Sequence, residues 1–412
     1  MPTTQTFVLA GGGLAGAKAA ESLREQGFDG QLVLIGDEDH RPYERPPLSK
    51  SYLAGSTDRE EVFVQAEQWY SANQVELRLG QSVTSVDSAA HRVEIADGTS
   101  IRYDKLLLAT GSAPRRLDVP GSDARGVHYL RRLEDSELLK GVIGAGARVA
   151  IVGAGWIGLE VAAAARQADL EVTVIEAAEQ PLLRVLGPEV ARVFADLHRD
   201  HGVDLRLASG VSEILTHGGN VRGIRLADGS DVEAEAVVVG VGIKPNVELA
   251  ERASLRTDNG VLVDQHLCTS DPDIFAAGDV ANAWHPFYDK HIRVEHWANA
   301  LNQPAVAATG MLGRDASYSE LPYFYTDQYD LGMEYVGYVE PNGYDEVVFR
   351  GDVAGREFIA FWLKDRRVLA GMNVNVWDVT EPIKALIRSR EPVDPARLSD
   401  ADRSLEDLVD SD

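Results

Sequence analysis

The sequence contains the same glycine pattern twice, and this repeat constrains the fold more than any other feature. In the first copy, TFVLAGGGLAGAKAAESL, an apolar run precedes Gly11, Gly13 and Gly16, and an alanine-rich helical pattern follows. A second apolar run, QLVLIGD, ends at Asp37, 21 residues after Gly16. At this spacing a carboxylate meets a ribose 2′-hydroxyl in a βαβ dinucleotide-binding unit, whose glycines let the backbone approach a pyrophosphate at the helix N-terminus. The pattern predicts such a unit.

The second copy, RVAIVGAGWIGLEVAAAA, repeats the spacing at Gly153, Gly155 and Gly158. The following run, EVTVIEA, ends at Glu176, 18 residues after Gly158. Two complete fingerprints indicate two dinucleotide sites in one chain, one for a tightly held cofactor and one for an exchanging cofactor. A glutamate at the end of the second run favours NADH over NADPH, since it would repel a 2′-phosphate.

Two further segments indicate which copy holds which cofactor. YDKLLLATGSAPR and DIFAAGDVAN are apolar runs that close in Ala-Thr-Gly and Gly-Asp. They resemble the two signatures of flavoproteins with two dinucleotide-binding domains, in which the aspartate, here Asp279, bonds the ribityl chain of FAD. GVGIKPN places Gly242 in a turn beside the nicotinamide site.

These motifs together predict the fold class and the domain order. We expect an α/β protein with two Rossmann-like dinucleotide-binding domains, arranged as in glutathione reductase, plus an α+β C-terminal domain. The FAD-binding domain would take residues 1–112 and 245–318, interrupted by an NADH-binding domain at 113–244. The C-terminal domain would take residues 319–412.

Charge and cysteine content exclude several functions. Sixty-five acidic against forty basic side chains give a net charge of −25, which disfavours nucleic acid and anionic membranes as partners. The single Cys268 excludes disulfides, cysteine-ligated iron–sulfur clusters and a redox cysteine pair within the chain. Electrons leaving a flavin therefore cannot pass through a protein thiol pair. No metal site is expected, and His198 and His201 are expected to be solvated.

No secretory leader or membrane-spanning stretch is apparent, because the longest apolar run is broken by Glu160. The sequence therefore predicts a cytoplasmic protein.

The segment PYERPPLSK closely resembles the one that follows the ribose carboxylate in FAD-dependent NADH:ferredoxin reductases of bacterial oxygenase systems. These are the putidaredoxin-reductase-like members of the pyridine nucleotide-disulfide oxidoreductase superfamily. YLRRLED, GWIGLE, RVEHWANALNQ and LPYFYTDQYDLGMEYVG match in the same order, across essentially the whole chain. The resemblance implies that FAD takes electrons from NADH and passes them to a two-iron, two-sulfur (2Fe-2S) ferredoxin serving a cytochrome-type or Rieske-type oxygenase.

The resemblance also implies a reaction site. The prolines hold their segment rigid, so that Arg45 can face the FAD pyrophosphate and Lys50 the isoalloxazine edge near N5. Lys50 and Glu160 would form the catalytic pair, and Trp297 and Tyr325 would pack against the isoalloxazine ring. The residues predicted to bind FAD are Gly11, Gly13, Leu14, Ala15, Gly16, Asp37, Arg45, Lys50, Val83, Ala109, Thr110, Gly111, Arg131, Gly278, Asp279, Glu295, His296, Trp297 and Tyr325. The residues predicted to bind NADH are Gly153, Gly155, Trp156, Ile157, Gly158, Glu160, Glu176, Arg184 and Gly242.

Other functions remain open from the sequence. A rubredoxin reductase or an NADH oxidase would use the same cofactors, although no peroxide-reacting cysteine is present in the first domain. A flavoprotein resembling apoptosis-inducing factor would sense NADH by dimerising instead of turning over. For a ferredoxin partner we expect a basic docking surface, for which the short helix in EPIKALIRSREP, with Lys384 and Arg388 on one face, is a candidate.

Overall fold

A computed structural model of the chain describes residues 5–408. The chain forms two compact units, each built from separate stretches of sequence. The first unit contains Met1–Arg45, Asp58–Ala113 and Ile243–Glu320. The second unit contains Pro46–Thr57, Pro114–Gly242 and Leu321–Asp412.

The strands are β1 (Thr6–Ala10), β2 (Gln31–Ile35), β3 (Val75–Arg78), β4 (Val83–Asp87), β5 (Arg92–Ile95), β6 (Ser100–Arg102), β7 (Lys105–Leu108), β8 (Ser112–Pro114), β9 (Val127–Tyr129), β10 (Val149–Val152), β11 (Val172–Ile175), β12 (Asp204–Arg206), β13 (Val211–His217), β14 (Asn220–Leu226), β15 (Asp231–Glu233), β16 (Ala236–Val239), β17 (Ile243–Pro245), β18 (Val261–Val263), β19 (Ile274–Ala276), β20 (Ala281–His285), β21 (Lys290–Ile292), β22 (Tyr323–Gln328), β23 (Leu331–Gly337), β24 (Glu346–Asp352), β25 (Glu357–Lys364) and β26 (Arg367–Val374).

The α-helices are α1 (Leu14–Glu25), α2 (Glu67–Ala72), α3 (Leu133–Gly144), α4 (Trp156–Gln167), α5 (Leu183–Asp200), α6 (Glu248–Arg252), α7 (Trp297–Met311), α8 (Thr380–Ser389) and α9 (Pro395–Ser399). Short 3-10 helices cover Pro46–Ser49, Arg59–Val62, Gly278–Val280 and Glu406–Leu408. None of the helices in the described part of the chain is both long and apolar enough to span a membrane.

The first unit is built on a five-stranded parallel sheet in the order β19-β7-β1-β2-β3. Its central strands are almost wholly apolar and buried, as expected for a parallel sheet that is covered on both faces. The register pairs Ala10 with Ile35 and Leu108, and Leu108 with Ala276. The segments that follow these four strands therefore all leave the sheet at one carboxyl edge, where ligands of such sheets bind. An antiparallel sheet, β4-β5-β6, and a mixed sheet, β18-β20-β21, in which β18 and β20 run parallel, also belong to this unit.

The second unit contains a similar parallel sheet in the order β12-β11-β10-β16-β9. Here Val152 pairs with Ile175 and with Val239, so the second glycine loop, Glu176 and the GVGIKPN segment begin at the same edge. The helix α5 is broken at Gly187, whose φ of 76° is left-handed, and Pro188 begins its second half. A small antiparallel sheet, β13-β14-β15, belongs to the same unit.

The C-terminal part of the second unit is an antiparallel sheet in the order β22-β23-β26-β25-β24. Helix α8 packs on β23 and β26. The core of this C-terminal part includes the fully buried Phe358, Phe361 and Trp362 of β25. The predicted fold class, two parallel dinucleotide-binding sheets plus an α+β C-terminal region, is therefore confirmed.

Candidate active site

The first glycine loop is shaped so that a ligand can lie against its middle glycine. A Cβ on Gly11 would collide with the carbonyl oxygen of Ala109, and one on Gly16 with the carbonyl oxygen of Gly11. At Gly13 the Cβ position has no described atom within 4 Å apart from those of Gly13 and its immediate chain neighbours, and the backbone there is ordinary extended chain. Neither packing nor backbone conformation requires residue 13 to be a glycine, whereas a pyrophosphate bound at the N-terminus of α1 would require it.

The second loop repeats this arrangement. A Cβ on Gly153 would collide with the carbonyl oxygen of Gly240, and one on Gly158 with that of Gly153. Around Gly155, the N-cap of α4, the described protein again leaves the Cβ position open, with extended backbone. In both loops the open space beside the middle glycine therefore leaves room for a dinucleotide.

Charged groups gather around Asp279 in the first unit. Asp279 lies in the 3-10 helix Gly278–Val280, and Gly278, with a left-handed φ of 79°, would bring a Cβ within 3.2 Å of the Ala15 Cβ on α1. Arg45 forms an ion pair of 2.9 Å with Glu38. Burial alone would lower the pKa of Arg45, but Tyr43, Glu38 and Asp279 together raise it above its ordinary value. Asp279 and Arg45 thus share one electrostatic environment at the first glycine loop.

Trp297, the aromatic residue predicted to pack against the flavin, is the first residue of α7. His296 is the N-cap of α7, and burial lowers its pKa to about 4 against the opposing effect of Asp279. Trp297 donates its indole N–H to Glu44, whose pKa is raised by burial. Glu295 forms an ion pair of 2.7 Å with Arg293. Trp297 is therefore held in place by a partner from the proline-rich segment.

Other predicted FAD residues lie at or near the carboxyl edge of the first sheet. Leu14 and Ala109 are buried, and Asp37 is exposed just after β2. The Thr110 hydroxyl donates to the Asn246 carbonyl at 2.8 Å, and Gly111 has a left-handed φ of 64°. Val83 begins β4 and packs against the hydrophobic core of the unit. Its side chain has a packing role in this structure.

Lys50 and Glu160 form a buried ion pair within the second unit. The Lys50 Nζ lies 2.7 Å from the Glu160 Oε1, and their side chains are 14% and 4% exposed. The Ser49 hydroxyl donates to the Glu160 Oε2 at 2.5 Å, and the Thr326 hydroxyl donates to Oε1 at 2.6 Å. Tyr325 places its ring 5.4 Å from the Lys50 Nζ. A buried carboxylate with three donors is held as a charged, fixed partner for the lysine.

Glu176 is fixed by the backbone of the second glycine loop. Its Oε2 accepts from the Ala154 N–H at 2.7 Å, and its Oε1 accepts from the Ala178 N–H at 2.8 Å. Gly242 has a left-handed φ of 102°, and its carbonyl oxygen accepts from the Arg115 N–H at 2.9 Å. Arg184 is exposed in the first turn of α5. The carboxylate stands directly at the loop that would hold the nucleotide.

Three further predicted residues have clear surroundings in the second unit. The ring of Trp156 packs against Phe324 at 5.1 Å and Phe194 at 5.5 Å, so its side chain is a packing contact, whereas Ile157 beside it is exposed. The Arg131 backbone N–H donates to the Asp135 carboxylate at 2.9 Å, before α3. Lys50, Arg131 and Tyr325 were predicted to bind FAD but belong to the second unit.

The expectation that His198 is solvated is wrong. Its side chain is fully buried, its Nε2 lies 2.9 Å from the Gln328 Oε1, and its Nδ1 lies 3.2 Å from the Tyr329 hydroxyl. His201 is partly buried and stacks on Tyr329 with ring centroids 3.7 Å apart. Within residues 5–408 no group of three or more His, Cys, Asp and Glu side chains is arranged to hold a metal ion.

The sequence also missed Ser49 and Thr326, the two hydroxyl donors to Glu160. Ser49 precedes Lys50 directly, which was the only available signal for it. Thr326 is brought to Glu160 by the packing of β22 on α4, which no local pattern reports. The predicted docking helix does form as α8, but the Lys384 Nζ lies 2.6 Å from the Glu381 carboxylate. Part of the expected positive charge of that helix is therefore neutralised locally.

Comparisons with known proteins agree with this geometry. The family model described as "Pyridine nucleotide-disulphide oxidoreductase" matches residues 5–304, and one described as "Reductase C-terminal" matches residues 323–409. The chain is 38% identical over 400 residues to rhodocoxin reductase of Rhodococcus erythropolis, covering 97% of this chain and 93% of that one. It is 41% identical over 396 residues to the ferredoxin–NAD(+) reductase component of the anthranilate 1,2-dioxygenase system of Burkholderia cepacia, covering 96% and 97%.

Solved structures show the same relationship. Putidaredoxin reductase, in a covalent complex with putidaredoxin, superimposes with a TM-score of 0.94 at 37% identity and covers 98% of both chains. The ferredoxin reductase for the CYP199A2 system of Rhodopseudomonas palustris also gives 0.94 at 37% identity, covering 98% of this chain and all of that one.

Proposed function

We propose the function from the premise that this chain belongs to the pyridine nucleotide-disulphide oxidoreductase family, among the ferredoxin reductases of oxygenase systems. It is a ferredoxin–NAD(+) reductase, as the sequence predicted. Family membership implies that it binds FAD and NAD(H). The proposal is that FAD stays bound to the first unit, that NADH is the exchanging donor at the second, and that a 2Fe-2S ferredoxin is the acceptor.

The observation that carries the proposal is the matched pair of glycine loops. In both, the outer glycines are required by the chain's own packing, whereas the middle glycine faces open space in the described protein. Two such loops at the carboxyl edges of two parallel sheets suit two dinucleotides. We retain the predicted domain boundaries, with FAD at 1–112 and 245–318, NADH at 113–244 and the C-terminal domain at 319–412, as part of this proposal.

FAD, when bound, converts a two-electron hydride donor into a source of single electrons for an iron–sulfur cluster. Gly13 and the N-terminus of α1 would hold its pyrophosphate, with Arg45 neutralising phosphate charge, and Asp279 would accept hydrogen bonds from the ribityl hydroxyls. Arg45 and Asp279 interact electrostatically in the structure, which suits neighbouring parts of one cofactor. These residues bind and orient the flavin.

The Lys50–Glu160 pair would set the charge at the isoalloxazine edge. A lysine whose charge is balanced by a buried carboxylate can donate a hydrogen bond near N5 and stabilise negative charge there. Glu176 would accept the ribose hydroxyls of NADH and disfavour a 2′-phosphate.

The acceptor would take electrons directly from the flavin because the chain has no thiol suited to carry them. Its single cysteine, Cys268, has a pKa raised to about 11 by burial and by Asp264, so it stays a protonated thiol. A location in the cytoplasm is proposed with this function, because the donor NADH is a cytoplasmic metabolite.

An anaerobic titration tests the proposal. One equivalent of NADH per FAD is expected to bleach the flavin band, and two equivalents of an oxidised 2Fe-2S ferredoxin are expected to restore it. Restoration by oxygen but not by ferredoxin, or by rubredoxin but not by ferredoxin, would contradict the proposed acceptor. Dimerisation on NADH binding without turnover, followed by light scattering, would instead indicate a sensor.

A further inference from the structure

A buried chain of hydrogen bonds leads away from the Glu160 carboxylate inside the second unit. The Thr326 Oγ1 lies 2.6 Å from the Glu160 Oε1, and the Gln328 Nε2 lies 3.2 Å from the Thr326 Oγ1. The His198 Nε2 lies 2.9 Å from the Gln328 Oε1, and the Tyr329 hydroxyl lies 3.2 Å from the His198 Nδ1. His198, Gln328 and Tyr329 have no role in the proposed binding of FAD or NADH.

The inner members of this chain are closed off from water. Thr326 and His198 are fully buried, and Gln328 is 1% exposed. Thr326 and Gln328 point to the same face of β22 because successive strand side chains alternate, so one strand presents both polar groups to α4 and α5. Polar groups buried away from water in this way must form hydrogen bonds with one another. Replacing either residue with an apolar one would leave its neighbour unpaired.

The direction of every hydrogen bond follows from the ionised Glu160. A carboxylate can only accept, so the Thr326 hydroxyl donates to it and must accept from the Gln328 NH₂ group. The Gln328 carbonyl oxygen then faces His198, which must donate from Nε2. The His198 Nδ1 is therefore an acceptor, and the Tyr329 hydroxyl donates to it. Every donor in this series of hydrogen bonds therefore points toward Glu160.

The protonation states of the outer members agree with that direction. Burial lowers the pKa of His198 to about 4, with the Gln328 hydrogen bond acting in the opposite sense, so the ring is neutral near pH 7. Burial raises the pKa of Tyr329, against a smaller opposing effect of Arg166, so its hydroxyl keeps its proton. Both groups are therefore neutral near pH 7.

Tyr329 occupies a backbone conformation that disfavours a bulky residue. Its φ of 58° lies in the left-handed region, in the tight turn between β22 and β23. Glycine or asparagine would be less strained there, but neither would reach His198 with a hydroxyl or stack on His201. Such strain at a well-packed position is a sign of a functional constraint.

We propose that Thr326, Gln328, His198 and Tyr329 are positioning residues, which hold Glu160 in one orientation as the ionised partner of Lys50. The chain is not a proton path, since the Gln328 amide does not pass a proton on. This inference rests on the proposed role of the Lys50–Glu160 pair in flavin reduction. Its distinctive claim is that residues on the C-terminal sheet and on α5 act on the reaction only through Glu160.

Thr326→Val tests the claim because it keeps the shape and removes the hydroxyl. In the holoenzyme, stopped-flow bleaching by NADH should be roughly tenfold slower near neutral pH, while the NADH concentration for half-maximal rate is unchanged. Lys50, which pairs with Glu160, Tyr325, whose ring lies near the Lys50 Nζ, and Asp327, which interacts electrostatically with Glu160, are all intact in this variant.

Two matched variants separate this effect from general damage. Thr326→Ser restores the hydroxyl and should recover most of the rate. Thr173→Val makes the same substitution at a half-buried position on β11 and should leave the rate unchanged. If Thr326→Val is reduced by NADH at the rate of the unmodified enzyme, the positioning role is refuted.

A spectroscopic readout checks the direction of the chain independently of turnover. In holoenzyme labelled with ¹⁵N-histidine, the His198 signal, identified by its loss in His198→Gln, should report a neutral ring protonated at Nε2 between about pH 6 and about pH 8. A ring protonated at Nδ1, or one that titrates in this range, would overturn the inference. Wild-type flavin reduction in both Lys50→Ala and Glu160→Ala would instead refute the proposed function of the pair.

Discussion

Glu176 is expected to determine the preference for NADH, and Glu176→Gln tests this with the smallest change of shape. The carboxylate accepts from the backbone N–H groups of Ala154 and Ala178, so it is fixed at the second glycine loop. A 2′-phosphate that enters the same place would meet this negative charge at close range. The glutamine variant removes the repulsion and keeps one side-chain oxygen as an acceptor, at the cost of one of the two backbone hydrogen bonds.

The size of the effect follows from Coulomb's law. Two like charges at ~4 Å repel by about 4 kcal/mol at an effective dielectric constant of ~20. Glu176 is only partly buried, so solvent and salt reduce this to roughly 1.5 kcal/mol, which is about a tenfold difference in kcat/KM. Arg184, exposed in the first turn of α5, would offset some of the repulsion, so the preference should be strong but not absolute.

The assay compares kcat/KM for NADH and NADPH in three proteins. The unmodified enzyme should favour NADH by at least about tenfold, and Glu176→Gln should reduce that ratio by about tenfold, mainly through gain with NADPH. Glu179→Gln removes the same charge at an exposed position three residues further on and should leave the ratio unchanged. Equal efficiency with both coenzymes in the unmodified enzyme, or no change of ratio in Glu176→Gln, would refute the reasoning.

The remaining predictions concern the flavin and the acceptor. Lys50→Ala or Glu160→Ala should slow bleaching of the flavin band by NADH more than it loosens FAD, measured by stopped flow and by flavin content; unchanged rates in both would contradict the pair. Asp279→Ala should lose FAD on purification, and full retention at a flavin-to-protein ratio of one would argue against the ribityl assignment. Reversing Lys384 and Arg388 to Glu should raise the KM for ferredoxin several-fold and flatten its salt dependence, with ferricyanide reduction unchanged; indifferent ferredoxin kinetics would place the partner elsewhere.

The sequence predicted the parts of the site that are local in the chain. The two glycine loops could be recognised because a tight turn, a close backbone contact and a helix start impose residue types at fixed spacing. Resemblance to a family supplied the Lys50–Glu160 pair, which the structure places at 2.7 Å although the two residues are far apart in sequence. No spacing rule would have joined them.

The sequence could not predict interactions that depend on how distant elements pack. HRDHG reads as a solvated helix end, but His198 is buried because β22 and the turn after it lie against α5, which brings Gln328 and Tyr329 to its two nitrogens. The same packing of β22 delivers Thr326 to Glu160. Alternation along a strand shows which side chains share a face, but not which helix that face will meet.

The most direct test of the central claim is cytochrome c reduction by NADH with and without an added 2Fe-2S ferredoxin. Cytochrome c accepts electrons from reduced ferredoxin, so the account predicts a slow rate without ferredoxin and a many-fold faster, saturable rate when ferredoxin is titrated in. An equally fast rate without ferredoxin, or NADH consumption matched by oxygen uptake whether or not ferredoxin is present, would contradict it.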